Sequence, residues 1–573
     1  MYGTLAGSLL ASSAAGRRRT FGSLLIGRSL RTVNQTFDRA RASDVLPLLP
    51  PDRRRLGGQM DVRESGRRVV RYQMVTFAVM RLLGGWLAKV PEYELKLELG
   101  RHVWQDAQAA EALRVRTGEL RVPVDADRRL PIELQRVLDA LDQASTPLQF
   151  LVGIYRVAKP RLVSAMALHV ASTDPVCDAP TLRTLRPIVA ELGEQIAWGE
   201  AAISAVCDDA PSALGDAVAF QAHLEVMLAH AGGLLSHGTP HQAEADPTPE
   251  QPVKARSERL LMAARDARFY VDMSPRVLPE DDEPPELLEL ESMLAARRPS
   301  STLVAESETR ADEDDRGRPP AVRLAERDPR FQMVGPADQA QRMPPPGDDR
   351  LEKTRRLMHG MLDNEMHAAE LSGRNSYEFP NMPWDFHIDM ARVVWDEIRH
   401  SEETKKHLED LGGRLGMYPV VPGNFGYRIQ LDLLHRLQDL HRRGELNGLN
   451  GLLKSRDTFR ALGDETGAVM FDFIQADETR HVAIGNRWVK WLLHDDPEHL
   501  KALAEEVEQQ RQVHDSHVAA LVKAAIGDSE NGANVPLAEG PIPINVLSLR
   551  IAGFSDAEIA ELVQKGGGNA ALE

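Results

Sequence analysis

Residues 382–400 read MPWDFHIDMARVVWDEIRH, and residues 467–485 read GAVMFDFIQADETRHVAIG. Each stretch holds one Asp-Glu-x-Arg-His pentapeptide: Asp396-Glu397-Ile398-Arg399-His400 in the first, Asp477-Glu478-Thr479-Arg480-His481 in the second. Apolar residues around both recur at helical spacing, and on a helix a Glu and a His three residues apart share one face. A carboxylate and an imidazole projecting together into a helix bundle suit a hard-to-borderline divalent metal. One Glu-x-x-His is weak evidence; two inside matching pentapeptides are hard to reach by chance.

A dinuclear site in a four-helix bundle also takes one lone carboxylate from each of the other two helices. Glu365 lies 32 residues before Glu397, and Glu445 lies 33 residues before Glu478. The pattern is a pseudo-twofold repeat of helix pairs, with Glu365, Glu397, His400, Glu445, Glu478 and His481 as the expected metal ligands. Four carboxylates and two imidazoles around two metals leave coordination positions open for dioxygen or water. Glu445 is the least regular member, because GELNGLNG (444–451) is glycine-rich and near an expected helix end. Asp457 and Glu465 are weaker substitutes for it.

Start and stop signals place helices over about 351–377, 383–412, 427–450 and 464–494. Pro383 suits a first turn, Gly451 a C-terminal stop and Asp464 an N-cap. A fifth, charge-studded helix over about 497–525 is expected to pack outside. No strand pattern interrupts them, so the expected fold class is all-α. His367, His387, His407, His435 and His441 lack matched partners and read as core or solvated histidines. Tyr377 and Tyr427 read as packing aromatics, and Met358, Met361 and Met366 as core filler.

With NEMHAAEL (364–371) and DETRHVAIGNRW (477–488) added to these stretches, residues 350–525 resemble the ferritin-like di-iron carboxylate superfamily. The resemblance is strongest to a domain-of-unknown-function branch, distantly similar to the tRNA-modifying di-iron hydroxylases. It implies a four-helix bundle holding two iron ions, or manganese. Glu397 and Glu478 would bridge the metals, Glu365 and Glu445 would be terminal, and each histidine would bind one metal. It also implies supporting residues: Asp396 for His481 and Asp477 for His400, with Arg399 and Arg480 neutralising the aspartates.

The rest of the chain divides by composition. Residues 1–60 form a basic lead-in, with five arginines and no acid before Thr36. Residues 61–236 read as an N-terminal helical domain, 237–349 as an acidic, Pro-rich linker with short apolar islands at 260–270 and 287–296, and 526–573 as a tail. The N-terminal domain looks like a metal-free duplicate of the bundle. Aligning Trp104 with Trp395 puts Asp106 on Glu397 and Ala109 on His400, and one gap puts Gln73 on Glu365. TLRPIVAELGEQIAWGEAA (184–202) can be set opposite GAVMFDFIQADETRHVAIG, without a fixed register.

The whole chain has 573 residues, 42% hydrophobic and 27% charged, with a formal charge of −16. That balance argues against broad binding to nucleic acid or acidic membranes. Two cysteines exclude a disulfide scaffold and a multi-cysteine metal site. No apolar run is long enough to span a bilayer, and the expected location is the cytoplasm. The expected function is a di-iron or manganese/iron oxidase or oxygenase acting on an organic substrate. No Gly-rich dinucleotide fingerprint is present, so electrons would come from a separate reductase. Iron handling or peroxide scavenging is one alternative. A scaffold with a structural metal is another.

Overall fold

The computed structural model describes residues 60–122, 130–209, 211–235, 322, 324–380, 382–533, 542–565 and 570–571. The basic lead-in, the two apolar islands and most of the acidic linker lie outside this set. Among the described residues the chain is predominantly helical. Its strands are two-residue segments in two parallel pairs: Gln332–Met333 with Pro419–Val420, and Ile544–Asn545 with Ala570–Ala571.

The N-terminal part opens with α1 (Val62–Trp86) and α2 (Tyr93–Glu119). α3 (Ile132–Asp142) and α4 (Pro147–Val152) follow, and α4 runs through a π-helical turn, Gly153–Ala158, into α5 (Lys159–Ser172). α6 (Ala179–Asp209) and α7 (Leu214–His230) complete it. After α8 (Pro336–Arg342) come α9 (Arg350–Glu378) and α10 (Trp384–Asp410). Two short helices, α11 (Gly423–Arg428) and α12 (Leu433–Leu437), lead into a second π-helical turn, Gln438–Gly444. α13 (Glu445–Ala461), α14 (Glu465–Leu492) and α15 (Pro497–Ile526) follow, then α16 (Val546–Ile551) and α17 (Asp556–Lys565).

Local chemistry sets several helix starts. Asp61, Asp349 and Asp464 each accept a hydrogen bond from the backbone three residues on, satisfying an amide the helix cannot. The expected stop at Gly451 is not one. Gly448 and Gly451 both continue α13, and the helix ends where Gly463 takes φ +80°, the left-handed conformation that glycine adopts without strain. α15 lies outside as expected, burying Leu503 and Val507.

Packing does not follow the compositional division. α1 and α2 lie against α9 and α10, and one hydrophobic core runs from Val69 and Leu99 through Met358 and Val394 to Phe471. Two glycine contacts set how close the helices come. A Cβ on Gly373 would stand 2.4 Å from the Gly84 carbonyl oxygen, and one on Gly100 would stand 2.4 Å from Ile398 Cγ1. The N-terminal part is therefore a wall of the same body.

The described end of the linker is folded as well. Arg327 is nearly buried and pairs with Asp363 at 2.9 Å and Glu370 at 2.6 Å on α9. The adjoining strand Gln332–Met333 pairs beside Pro419. The C-terminal tail packs Ile544, Val546, Leu549, Phe554 and Ile559 against Leu446, Leu449 and Val482 of α13 and α14. A charged or short segment can be bound into a fold by a few buried pairs, which composition does not register.

Candidate metal centre

α9, α10, α13 and α14 each carry one or two of the residues singled out above. The six come together: one buried group comprises Glu365, Glu397, His400 and Glu478, and a second comprises Glu397, Glu445, Glu478 and His481. In each group one ligand atom per residue lies within 4.8 Å of the others. Glu397 and Glu478 belong to both. The most exposed of the six, Glu365, shows 9% of its surface, and both imidazoles show none.

The shared pair is arranged so that each carboxylate offers one oxygen to each imidazole. His400 Nδ1 lies 3.3 Å from Glu397 Oε2 and 3.4 Å from Glu478 Oε1. His481 Nδ1 lies 3.3 Å from Glu397 Oε1 and 3.6 Å from Glu478 Oε2. Glu397 Oε1, Glu478 Oε2 and His481 Nδ1 are buried with no hydrogen-bond partner in the protein. Buried polar atoms left without a hydrogen bond in this way cost stability unless something else satisfies them. A divalent cation would do so for all three.

The far side of each ring is held from the opposite pentapeptide. His481 Nε2 lies 3.3 Å from Asp396 Oδ2, and His400 Nε2 lies 3.4 Å from Asp477 Oδ2. A ring bonded in this way at one nitrogen presents the other in a fixed direction. Arg399 donates to both aspartates, at 2.6 Å to Asp477. The second cation is Arg392, not Arg480: its Nε donates to Asp396 at 2.7 Å, whereas Arg480 is exposed. Arg392 lies one helical turn before Asp396 and stacks over Trp104 of α2. Its i, i+4 spacing was the signal available for it in the sequence.

Glu445 is placed by the π-helical turn that ends at Gly444. His441, read above as an ordinary histidine, is fully buried and donates from Nδ1 to both Glu445 oxygens at 2.8 and 2.9 Å. It orients that carboxylate toward His481 Nδ1, 3.9 Å away. Asp457 and Glu465 are well exposed and stand apart from the cluster. The remaining histidines have local roles. His407 faces Asp464 at 3.0 Å, His435 bonds Asp432 at 2.9 Å, and His387 bonds Ser376 and the Met382 carbonyl. Tyr377 donates to Asp142, and Met358 and Met366 fill the core.

Charge in the metal-free cluster is shared through protons. Burial, and then the negative charges of Glu397 and Glu478, hold Glu365 well above the usual carboxylate range. Burial likewise pushes Glu445 up, outweighing His441. Burial works to raise Glu397, but the His400 and His481 imidazoles outweigh it and hold its carboxyl low. Burial would lower both imidazoles, yet both stand well above their ordinary value. Asp477, Glu397 and Glu478 raise His400; Glu478, Asp396 and Glu397 raise His481. The surrounding carboxylates thus favour the cationic form of both imidazoles.

No helix among the described residues is long and apolar enough to cross a membrane. The chain matches the model of a family described as Protein of unknown function (DUF455) over residues 282–524, a span containing all six clustered residues. No curated protein and no solved structure matches it.

Proposed function

We propose that the cluster is a two-metal centre and that the protein is a non-haem di-iron, or manganese/iron, oxidase or oxygenase. The observation that carries the reading is the double use of Glu397 and Glu478, each turned to both imidazoles. Two carboxylates shared between two ligand quartets are what a pair of ions a few ångströms apart requires. The first quartet would hold one ion and the second the other. Their charge would offset buried carboxylates that otherwise cost several kcal/mol each.

Bound iron supplies redox chemistry with dioxygen and an organic substrate, with electrons delivered by a separate reductase. The chain's own residues do the rest. Asp396 and Asp477 fix the imidazoles so that Nδ1 of each is turned to Glu397 and Glu478, where it would be available to a bound ion. Arg392 and Arg399 close this end of the bundle and keep the two aspartates ionised. His441 holds Glu445 at one edge, while Glu365 lies at the other edge and is free of a comparable clamp among the described contacts.

Rapid mixing of reduced, iron-loaded protein with oxygenated buffer tests the redox part of this reading. Near-ultraviolet absorbance should develop within seconds together with oxygen uptake. An unchanged spectrum over minutes, in protein shown to carry iron, contradicts it.

A further inference from the structure

We propose that the N-terminal half is a second copy of the same bundle, in which the ammonium of Lys159 stands where the other half holds its metals. The statement about metals rests on the functional reading above; the statement about duplication does not.

The two halves share an order of elements. In each, two long antiparallel helices come first: α1 and α2, then α9 and α10. In each, a π-helical turn then runs without a break into the third helix: Gly153–Ala158 into α5, Gln438–Gly444 into α13. A long fourth helix closes both, α6 and α14. A π turn inserts a residue and shifts the facing of the next helical segment, so it is rare and positional. Finding one at the same junction in both halves fixes the register that the sequence left open. Lys159, the first residue of α5, corresponds to Glu445, the first of α13.

Side chains agree with that register. The residue four before each is a ring, Tyr155 or His441. Each ring is seated against a glycine of the fourth helix, Gly199 or Gly485, which stand one turn apart when 184–202 is set on 467–485. A Cβ on Gly199 would stand 2.1 Å from Tyr155 Cγ, and one on Gly485 would stand 2.5 Å from His441 Cβ.

Aligning the two tryptophans puts Asp106 on Glu397. Setting 184–202 opposite 467–485 end to end puts Gln195 on Glu478 and Trp198 on His481. These three residues, from three helices, meet. Lys159 Nζ donates to Asp106 Oδ2 at 2.6 Å and also to Gln195 Oε1. All three are at most 2% exposed. The fourth position, Gln73, is buried as well and accepts from Thr117, farther along α2.

The chemistry of the replacements is consistent. Where the C-terminal half gathers four carboxylates and two imidazoles, this half keeps one carboxylate and sets one ammonium against it. The imidazole positions carry Ala109 and Trp198, and Trp198 packs edge-on to His102 and Tyr155. One buried cation balances one buried anion, and no ion needs to be acquired. This half is complete as synthesised. It gives α10 a preformed wall, with Gly100 directly behind Ile398, between Glu397 and His400.

The test uses the full chain. Metal-free Lys159→Glu should melt on the order of 10 °C below metal-free wild type, since a buried pair is replaced by two buried acids. Added manganese(II) should recover that loss and bring bound metal above the wild-type complement. Lys159→Met should lose similar stability and recover none with manganese. A folded Lys159→Glu that neither takes up extra metal nor gains stability from it overturns the proposal. A crystal structure of the wild-type chain grown with manganese gives the second reading, independent of whether any variant folds. With residues 62–119 and 153–209 superposed on 350–410 and 438–492, Lys159 Nζ should fall on the ion pair, or on the centroid of the six ligand side chains if no ion is bound. Nζ outside that cluster overturns the duplication. An empty C-terminal site with Nζ on the centroid overturns only the functional reading.

Discussion

The Asp396 carboxylate lies 3.3 Å from Nε2 of His481, although 85 residues separate them. The bond ties the α10 pentapeptide to the α14 imidazole, and its mirror, Asp477 to His400, ties them in the opposite sense. Each pentapeptide therefore carries its own candidate Glu and His pair and holds the imidazole of the other.

Asp396→Asn should weaken metal binding by about 10- to 100-fold while leaving the helical fold intact, because it loosens the ring without removing a ligand. Competition with a metal chelator measures this. Asp477→Asn should behave alike. Unchanged affinity in both variants would show that the aspartates do not orient the imidazoles.

Metal loading at pH 7 should release protons. Both imidazoles stand well above their ordinary value in the metal-free protein, so they are protonated there, and a ligand nitrogen must be free to bind. Affinity should consequently fall as pH falls. The same shifts make the metal-free fold less stable on the alkaline side: the contribution is full below the unfolded histidine pKa of about 6.5 and is lost as pH rises through the raised folded value. Titration calorimetry in buffers of different ionisation enthalpy counts the protons. Net uptake of protons on loading would contradict the arrangement.

A second pH effect comes from Asp139, far from the centre in chain order. Its Oδ2 is buried with no hydrogen-bond partner, and burial pushes its carboxyl up to about 7. The folded chain then binds a proton that the unfolded chain has released, and stability falls between roughly pH 4 and pH 7. Asp139→Asn should abolish that loss, adding about 2–4 kcal/mol at pH 8 and little at pH 4. Urea unfolding at the two pH values decides it, and an equal effect at both would show that titration is not the cause.

Much of the site was legible because helix geometry converts spacing into position. Glu397 with His400 and Glu478 with His481 needed only the i, i+3 rule, and Glu365 needed only a helix of matching length. Glu445 sat among glycines that looked like a stop signal. They continue the helix because glycine ends one only where the backbone turns left-handed, as at Gly463. His441 was hidden because a π turn breaks the period on which such readings depend. Arg327 was averaged into an acidic, proline-rich passage, and only its partners Asp363 and Glu370 show that it is part of the core. That the N-terminal helices share one core with α9 and α10 was hidden for a related reason. An apolar helix face looks the same whether it covers its own half or the neighbouring one.

Elemental analysis of the full-length protein after expression with excess iron and manganese tests the central claim most directly. The account predicts two metal ions per chain in the wild type, and loss of both in Glu397→Ala, because that carboxylate serves both quartets. Less than about one ion per chain in folded, metal-replete wild type, or a Glu397→Ala variant that keeps its full complement, would contradict it.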